Sequence, residues 1–426
     1  MKLVKVGAAV LNQTPLDWNG NKANILGAIE EARRQGVSIL CLPEMCICGY
    51  GCEDEFHSPG MHRMAWQVLQ EILPATKGMV VSLGLPVFHH NAIFNTACLV
   101  AGGKVIGFAA KRYLAGDGIH YEPRWFKPWP TGVKAELSVD GSRYPVGDLY
   151  FDIGGVRIGF EICEDAWVAK RPGGSLALEG IDIILNPSAS HFAFGKLEIR
   201  KRFVLEGSRA FGVTYVYSNL LGNESGRIIF DGGALIASGG KLVATGPRFT
   251  FDRFVVTSAI VDIDATRMSQ ARTASFMPAL DGEKSVLGAP FEYPQLDAQP
   301  SAEKSAPWEC SANLKEEEFT RAVTLGLFDY MRKSRSNGFV VSLSGGADSS
   351  AVCCLVALTL ERALKELGRD ALLERLSFLK TLKPGSAAEL VRALLLTVYQ
   401  PTENSSAMTR NAARGVAEQI GAEYLE

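Results

Sequence analysis

The first ten positions alternate between Val- or Leu-type and other residues, and residues 2–10 predict a strand. Residues 21–35 (NKANILGAIEEARRQ) place Ile25, Leu26, Ile29 and Ala32 at the 3.6-residue period of one helix face. Gly36 stops that helix, and the apolar run Val37–Leu42 predicts a second strand. Strand, helix and strand within so short a stretch make a βαβ unit. The theme returns at 77–86, 95–110, 147–162 and 181–187, with helical patterns at 61–72 and 196–211. Two neighbouring runs, Asn95–Ala101 with Val105–Ala110 and Leu149–Ile153 with Val156–Ile162, are joined by Gly-containing turns and read as strand pairs. The mixture predicts a mixed sheet, or two stacked sheets, with helices outside.

From 276 to 313 the periodicity fades into a segment rich in Pro, Ala and Ser. Helical pattern resumes at Lys315–Lys333, and the apolar run Gly338–Leu343 leads straight into SGGADSS and a helix from about Ser349. The expected organisation is therefore a domain over 1–275, a linker or arm over 276–314 and a second α/β segment over 315–426. Composition is compatible with that plan. The 426 residues are 47% hydrophobic and 21% charged, enough for large cores and too charged for a membrane bundle. No stretch reaches the roughly 18 uncharged apolar residues of a membrane span. With 44 Lys and Arg against 46 Asp and Glu, the chain lacks the basic surplus of a nucleic-acid binder. The start, MKLVKVGAAVLNQT, reads as a buried strand rather than a cleavable signal, so a soluble cytoplasmic protein is expected.

Nine cysteines are too few for a disulfide scaffold. Cys41, Cys46, Cys48 and Cys52 crowd together, but no second CxxC pair and no histidine at ligand spacing accompany them, so they are assigned to packing and no metal is expected. Cys353 and Cys354, in an apolar helix, are assigned to packing as well.

Three short strings stand where strands end. LPEMCICGY puts Glu44 after one strand, AAKRYL puts Lys111 after another, and GFEICEDAW puts Cys163 at the end of a third. Residues at strand ends of an α/β fold share a rim, where sites form. A carboxylate, an ammonium and a thiol make a workable acyl-transfer device. Glu44 can take the thiol proton, while Lys111 and the Glu164 backbone N–H can stabilise an oxyanion.

Together the strings resemble the nitrilase superfamily of carbon–nitrogen hydrolases, whose Glu-Lys-Cys triad has this order and similar spacing over roughly residues 1–275. GFEICEDAW is most similar to the glutaminase domain of glutamine-dependent NAD synthetases. The resemblance implies an αββα sandwich, with Glu44 as general base, Lys111 as oxyanion-stabilising cation and Cys163 as nucleophile. It further implies glutamine-binding roles for Tyr50, Tyr121, Glu122, Glu164 and Ser190, with Ser188 beside them, and for Lys196 where many relatives carry Arg. YEPRWFKPW, Tyr121 to Trp129, resembles the eukaryotic-type branch. RYLAGDGIHYEPRWF replaces the Leu-Pro-Asn-Tyr segment of many bacterial members, so the loop gating glutamine is expected to differ. Either Glu122 or Asp117 can supply an auxiliary carboxylate.

GFVVSLSGGADSSAV is a strand, a Gly-rich turn and a helix. Adjacent glycines allow close backbone approach to a phosphate, and the helix N-terminus adds N–H donors. The lysine of a Walker loop is missing. The string resembles the pyrophosphate loop of the ATP pyrophosphatase family, which implies ATP binding by Ser344, Gly345, Gly346, Asp348 and Ser349, with Asp348 either holding Mg²⁺ or capping the helix. LLTVYQPTENSSAMT resembles a later segment of NAD synthetases; the plain reading of Ser405, Ser406 and Thr409 is helix capping.

The fusion of the two motifs points to glutamine-dependent NAD synthesis from glutamine, ATP and nicotinic acid adenine dinucleotide, in a homo-oligomer with an ammonia tunnel. The alternative is a stand-alone nitrilase-superfamily amidase with a vestigial or regulatory nucleotide-binding segment. A five-stranded nucleotide domain needs more βα units than follow Gly338. Two strands, at Phe339–Leu343 and near Val391–Val398, are expected there, with the third cut off at AEYLE, so the second domain is expected to be partial and unable to make NAD.

Overall fold

The computed structural model describes residues 1–280, 286–298, 306–382, 385–403 and 405–426. The chain divides into two compact units, one of Met1–Arg248 with Arg253–Pro307, the other of Phe249–Asp252 with Trp308–Glu426.

The first unit is built on two sheets. The eight-stranded sheet runs, edge to edge, Phe254–Asp262, Leu3–Leu11, Ile39–Cys41, Val80–His89, Ala92–Ala101, Lys104–Ala110, Ser142–Gly147 and Lys134–Val139. Its centre is parallel, Val6 opposite Ile39 and Ile39 opposite Val80, while Leu3–Leu11 pairs antiparallel with Phe254–Asp262. The seven-stranded sheet runs Lys241–Thr245, Leu235–Ser238, Thr214–Asn219, Ile183–Ser188, Val156–Phe160, Tyr150–Ile153 and Val286–Ala289.

Helices Trp18–Arg34 and Pro59–Ile72 bury Ile25, Ile29, Ala65, Val68 and Leu69 on the first sheet. Leu176 and Val204, from helices Pro172–Leu178 and Lys196–Ala210, pack on the second. The sheets face each other, and the Ser218 hydroxyl donates across the gap to the Ala9 carbonyl. Central strands such as Ile183–Ser188 are buried along their whole length because both faces are covered. This is the expected αββα sandwich.

The periodicity predicted most of these elements as far as residue 211, missing the strand pair Lys134–Val139 and Ser142–Gly147 and the helix Pro172–Leu178, and few beyond. The later strands carry buried polar residues, Asn219, Asn223, Glu224 and Asp231, which break the apolar alternation. Within the segment expected as linker, Val286–Ala289 pairs parallel with Tyr150–Ile153 and extends the sheet. Backbone pairing at a sheet edge needs no particular side chains, so composition conceals it.

The second unit holds a parallel sheet in the order Phe339–Ser342, Leu395–Val398, Glu423–Leu425, with helices Leu314–Ser334, Ala347–Leu367, Arg369–Arg375, Ala387–Leu394 and Ala407–Ile420. Three expectations need correction here. The strand AEYLE is formed, not cut off, and pairs at Glu423–Leu425. The apolar run from Val391 begins as helix, because Ser386 and Glu389 cap one another's backbone N–H groups and start Ala387–Leu394. Cys353 is buried as expected, whereas Cys354 is exposed and takes no part in packing. Among the described residues no helix is long and apolar enough to cross a membrane.

Candidate active site

Glu44 follows the strand Ile39–Cys41 by three residues and is buried. Its loop is folded tightly. Met45 has a φ of +51°, and a Cβ on Gly84 of the neighbouring strand would lie 2.4 Å from the Met45 nitrogen. Glycine at 84 is what lets strand and loop meet. Lys111 follows Lys104–Ala110 directly, and Cys163 ends the turn after Val156–Phe160 with a φ of +47°, a strained conformation for a side chain that the surrounding structure must impose.

Lys111 Nζ lies 2.7 Å from Glu44 Oε1 and 2.7 and 2.8 Å from the two Glu122 oxygens, with all three side chains out of solvent. Glu44 also accepts from Asn95 Nδ2 at 2.6 Å and from the Ala189 backbone at 2.9 Å. Glu122 begins a short helix and accepts from the Ala115 N–H and the Tyr50 hydroxyl, while Asp117 stays exposed, so geometry places Glu122 against the lysine.

Burial pushes the Cys163 thiol up and the Glu44 charge adds to it, with Lys111 opposing. Burial likewise raises Glu44, against the pull of Lys111. For Lys111, burial would lower the pKa, but the two carboxylates outweigh it and hold the ammonium charged. The resting arrangement is a neutral thiol beside a carboxylate whose basicity is enhanced, which suits proton transfer during nucleophilic attack rather than a standing thiolate.

The residues expected around a substrate fall in different places. Tyr50 is buried, its hydroxyl 2.7 Å from Glu122 Oε1. Glu164, half-buried beside Cys163, has its carboxyl raised by burial. Lys196 stands in the first turn of Lys196–Ala210, half-buried, with Nζ 5.4 Å from the Trp167 ring centre. Burial and the Arg200 charge bring it down to about 8. Ser190 is buried, and its hydroxyl accepts from Arg200 Nε at 3.2 Å. Ser188 turns inward, donating to Asn186. Tyr121 is exposed and lies against the Arg227 guanidinium.

In the second unit, Ser344 to Ser349 link the strand Phe339–Ser342 to the helix Ala347–Leu367. Gly345 has a φ of +79°, and a Cβ there would meet the Thr409 carbonyl at 2.3 Å. The Ser344 hydroxyl lies 3.0 Å from that of Ser349 and accepts from the Gly346 N–H. Ser406 caps the helix Ala407–Ile420, accepting from the Thr409 N–H. Asp348 is exposed in the first turn of its helix. It is one carboxylate facing solvent, which fits Mg²⁺, a cation taken up through one or two carboxylates plus substrate phosphates. Among the described residues no group of three His, Cys, Asp or Glu side chains forms a metal cage.

Residues 5–273 match the carbon-nitrogen hydrolase family. The chain belongs to that family. Residues 319–426 match the NAD synthase family. The glutamine-dependent NAD(+) synthetase of Oryza sativa subsp. indica is 33% identical over 446 residues, covering 100% of this chain and 60% of the relative. That of Drosophila melanogaster is 30% identical, covering 99% and 56%. The crystal structure of a glutamine-dependent NAD(+) synthetase from Cytophaga hutchinsonii superposes with a TM-score of 0.83 at 41% identity, over 99% of this chain and 64% of that one. An amidase from Nesterenkonia, at 19% identity and a TM-score of 0.51 over 62% of this chain, shares the fold of the first unit. This carbon-nitrogen hydrolase thus spans 60% of the length of the first of these curated relatives and 56% of the second.

Several supports of the carbon-nitrogen hydrolase site escaped the sequence. Asp165 accepts from the backbone of Ile162, Arg112 and Tyr113, tying the turn of Cys163 to the loop after Lys111, and burial raises it to about 7. Glu161 is buried with Arg171 at 2.6 Å and Tyr215 at 2.5 Å. Arg200 pairs with Asp231 at 2.6 Å and holds the Ser190 and His191 carbonyls. Asp165 and Glu161 lie inside GFEICEDAW, where neighbouring polarity was the available signal. Asn95, His120, His191 and Arg200 are distant in sequence and carried none.

Proposed function

We propose that this chain carries the glutaminase and ATP-using machinery of a glutamine-dependent NAD(+) synthetase. The observation that carries the reading is the presence, in one chain, of a buried Glu44–Lys111–Cys163 cluster and a strand–Gly-Gly–helix loop. Cys163 Sγ attacks the side-chain carbonyl of glutamine as Glu44 takes its proton. Lys111 and the Glu164 N–H stabilise the oxyanion. Glu44 returns the proton to the departing nitrogen, ammonia leaves, and water activated by Glu44 hydrolyses the γ-glutamyl thioester. Tyr50, Glu122, Glu164 and Lys196 shape the glutamine pocket. The buried hydroxyl of Ser190 positions its own loop.

In the second unit the loop Ser344–Ser349 receives the pyrophosphate of ATP, and Asp348 would hold a Mg²⁺ that offsets the phosphate charge. The carboxylate of nicotinic acid adenine dinucleotide attacks the α-phosphate and expels pyrophosphate, and ammonia then displaces AMP to give NAD. Ammonia that reached bulk water would mostly be protonated, so the reading includes an enclosed tunnel. Homo-oligomeric assembly and a cytoplasmic location belong to the same reading and rest on the family resemblance.

The test is ammonia released from glutamine, with and without ATP and the acid dinucleotide. Glutamine-specific release that disappears in Cys163→Ala and responds to the dinucleotide is expected. Hydrolysis of simple amides with no preference for glutamine would favour the amidase alternative.

A further inference from the structure

Beyond the triad, a line of hydrogen bonds leaves the buried cluster. Tyr50 Oη donates to Glu122 Oε1 at 2.7 Å and lies 3.1 Å from His120 Nδ1. His120 Nε2 lies 2.9 Å from His191 Nδ1, and Lys196 Nζ lies 3.0 and 3.3 Å from the two nitrogens of His191. Glu122 and Tyr50 are buried, His120 is 8% exposed, and His191 and Lys196 are half-buried next to the exposed residues Ala193, Phe194 and Gly195. The line therefore runs from the interior to the surface.

Amide hydrolysis gives the line something to do. Converting an amide and water into a carboxylate and neutral ammonia liberates one proton. In a site where Glu44, Lys111 and Glu122 are all out of solvent, that proton stays on the cluster until a route removes it.

We propose that Tyr50, His120, His191 and Lys196 form a proton exit that returns the Glu44–Lys111–Glu122 cluster to its starting charge after each turnover; this rests on the amide-hydrolase reading above. Lys111 gives one proton to Glu122 as it receives another from Glu44. The Glu122 O–H bond breaks as Tyr50 Oη gains that proton, and Tyr50 passes its own to His120 Nδ1. His120 passes the Nε2 proton to His191 Nδ1, and His191 passes the Nε2 proton to the amine of Lys196. The net change is a carboxyl and an amine becoming a carboxylate and an ammonium. The structure fits the end of that transfer. Tyr50 donates to Glu122, which leaves His120 Nδ1 to donate to Tyr50.

The electrostatics suit the route. Burial first, then the charges of Lys196 and Lys111, lower His120 to about 4. Burial, Lys196, His120 and Arg200 lower His191 to about 4, with Asp231 opposing. Both rings are therefore neutral near pH 7, each with one N–H and one lone pair, as a relay requires. Lys196 faces Arg200, Cys163, Asp231 and Glu164 as well as His191. At about 8, a fraction of Lys196 stands as the free amine near neutral pH, able to take up the proton and pass it to water.

The test compares wild type with His191→Phe and His120→Gln, whose side chains cannot exchange protons, in glutamine and graded imidazole. The first equivalent of ammonia per site should appear at the wild-type rate. Steady-state turnover should fall roughly tenfold or more and recover in proportion to imidazole, while wild type ignores it. Undiminished turnover in both variants would overturn the exit while leaving the hydrolase reading intact. So would a loss that strikes the first turnover equally and that imidazole does not repair. Wild-type protein that releases no ammonia from glutamine would instead overturn the hydrolase reading, and the exit with it.

Discussion

The backbone N–H of Ala189 donates to Glu44 Oε2 at 2.9 Å, although the two residues belong to loops of opposite sheets. Ala189 follows the strand Ile183–Ser188, which pairs with Val156–Phe160, the strand that leads to Cys163. Glu44 of the first sheet is thus aimed by the sheet that carries Cys163, and disturbance of either reaches both.

Removing the sulfur alone tests the triad. Cys163→Ala should fold normally, since a small buried group replaces another, and should release ammonia at less than about a hundredth of the wild-type rate. Ammonia release and thermal unfolding on the same preparation check both halves. Residual activity above that level removes Cys163 as nucleophile.

Lys111→Met leaves the Glu44 and Glu122 carboxylates facing each other without their shared cation. Activity should vanish, and stability should fall by about 3–5 kcal/mol near neutral pH, the cost of breaking a buried ion pair. The sign of the pH dependence follows from linkage. With the Glu44 carboxyl raised above its unfolded value by burial, the folded variant holds a proton that the unfolded chain has released. Stability is therefore lost as pH rises and partly restored toward pH 5. Urea unfolding at several pH values measures it, and a pH-independent deficit would speak against charge as the cause.

The acid limb of kcat/KM should report Glu44, whose pKa burial holds above the ordinary 4.5. Activity needs the carboxylate and so declines as pH falls through that raised value. Asn95 donates to Glu44 at 2.6 Å and favours the ionised form. Asn95→Leu should therefore move the limb to higher pH, and an unmoved limb would mean that another group titrates.

Gly345→Val should abolish nucleotide binding and spare glutamine hydrolysis. Its Cβ would collide with the Thr409 carbonyl in a backbone conformation that valine avoids. Calorimetry with ATP beside the ammonia assay separates the two effects. Equal loss of both would show the activities to be inseparable.

Much of this was legible in the chain because strand ends carry the chemistry. The apolar runs before Glu44, Lys111 and Cys163 located the strands, and α/β geometry brings such ends together. The supports were not legible. Asp165 works through backbone N–H groups, which leave no trace in residue type. Arg200 and Asp231 meet only after the sandwich closes. The pairing of His120 with His191 joins residues 71 positions apart. Val286–Ala289 joined the sheet by its backbone, while the third strand of the second unit stood where AEYLE placed it and needed only Glu423–Leu425 to pair.

Gly84 touches no substrate group and bears no side chain, yet Met45 rests against the place where one would be. A single methyl group there must push the adjoining loop outward, and Glu44 travels with it. A displacement of about 1 Å at a reacting group can cost on the order of 10²-fold in rate. Position 84 is in that sense a shim under Glu44. Mutational scans confined to polar residues would pass over it, and inherited or engineered changes at this unreactive carbon would displace Glu44 while leaving Glu44, Lys111 and Cys163 in the sequence untouched.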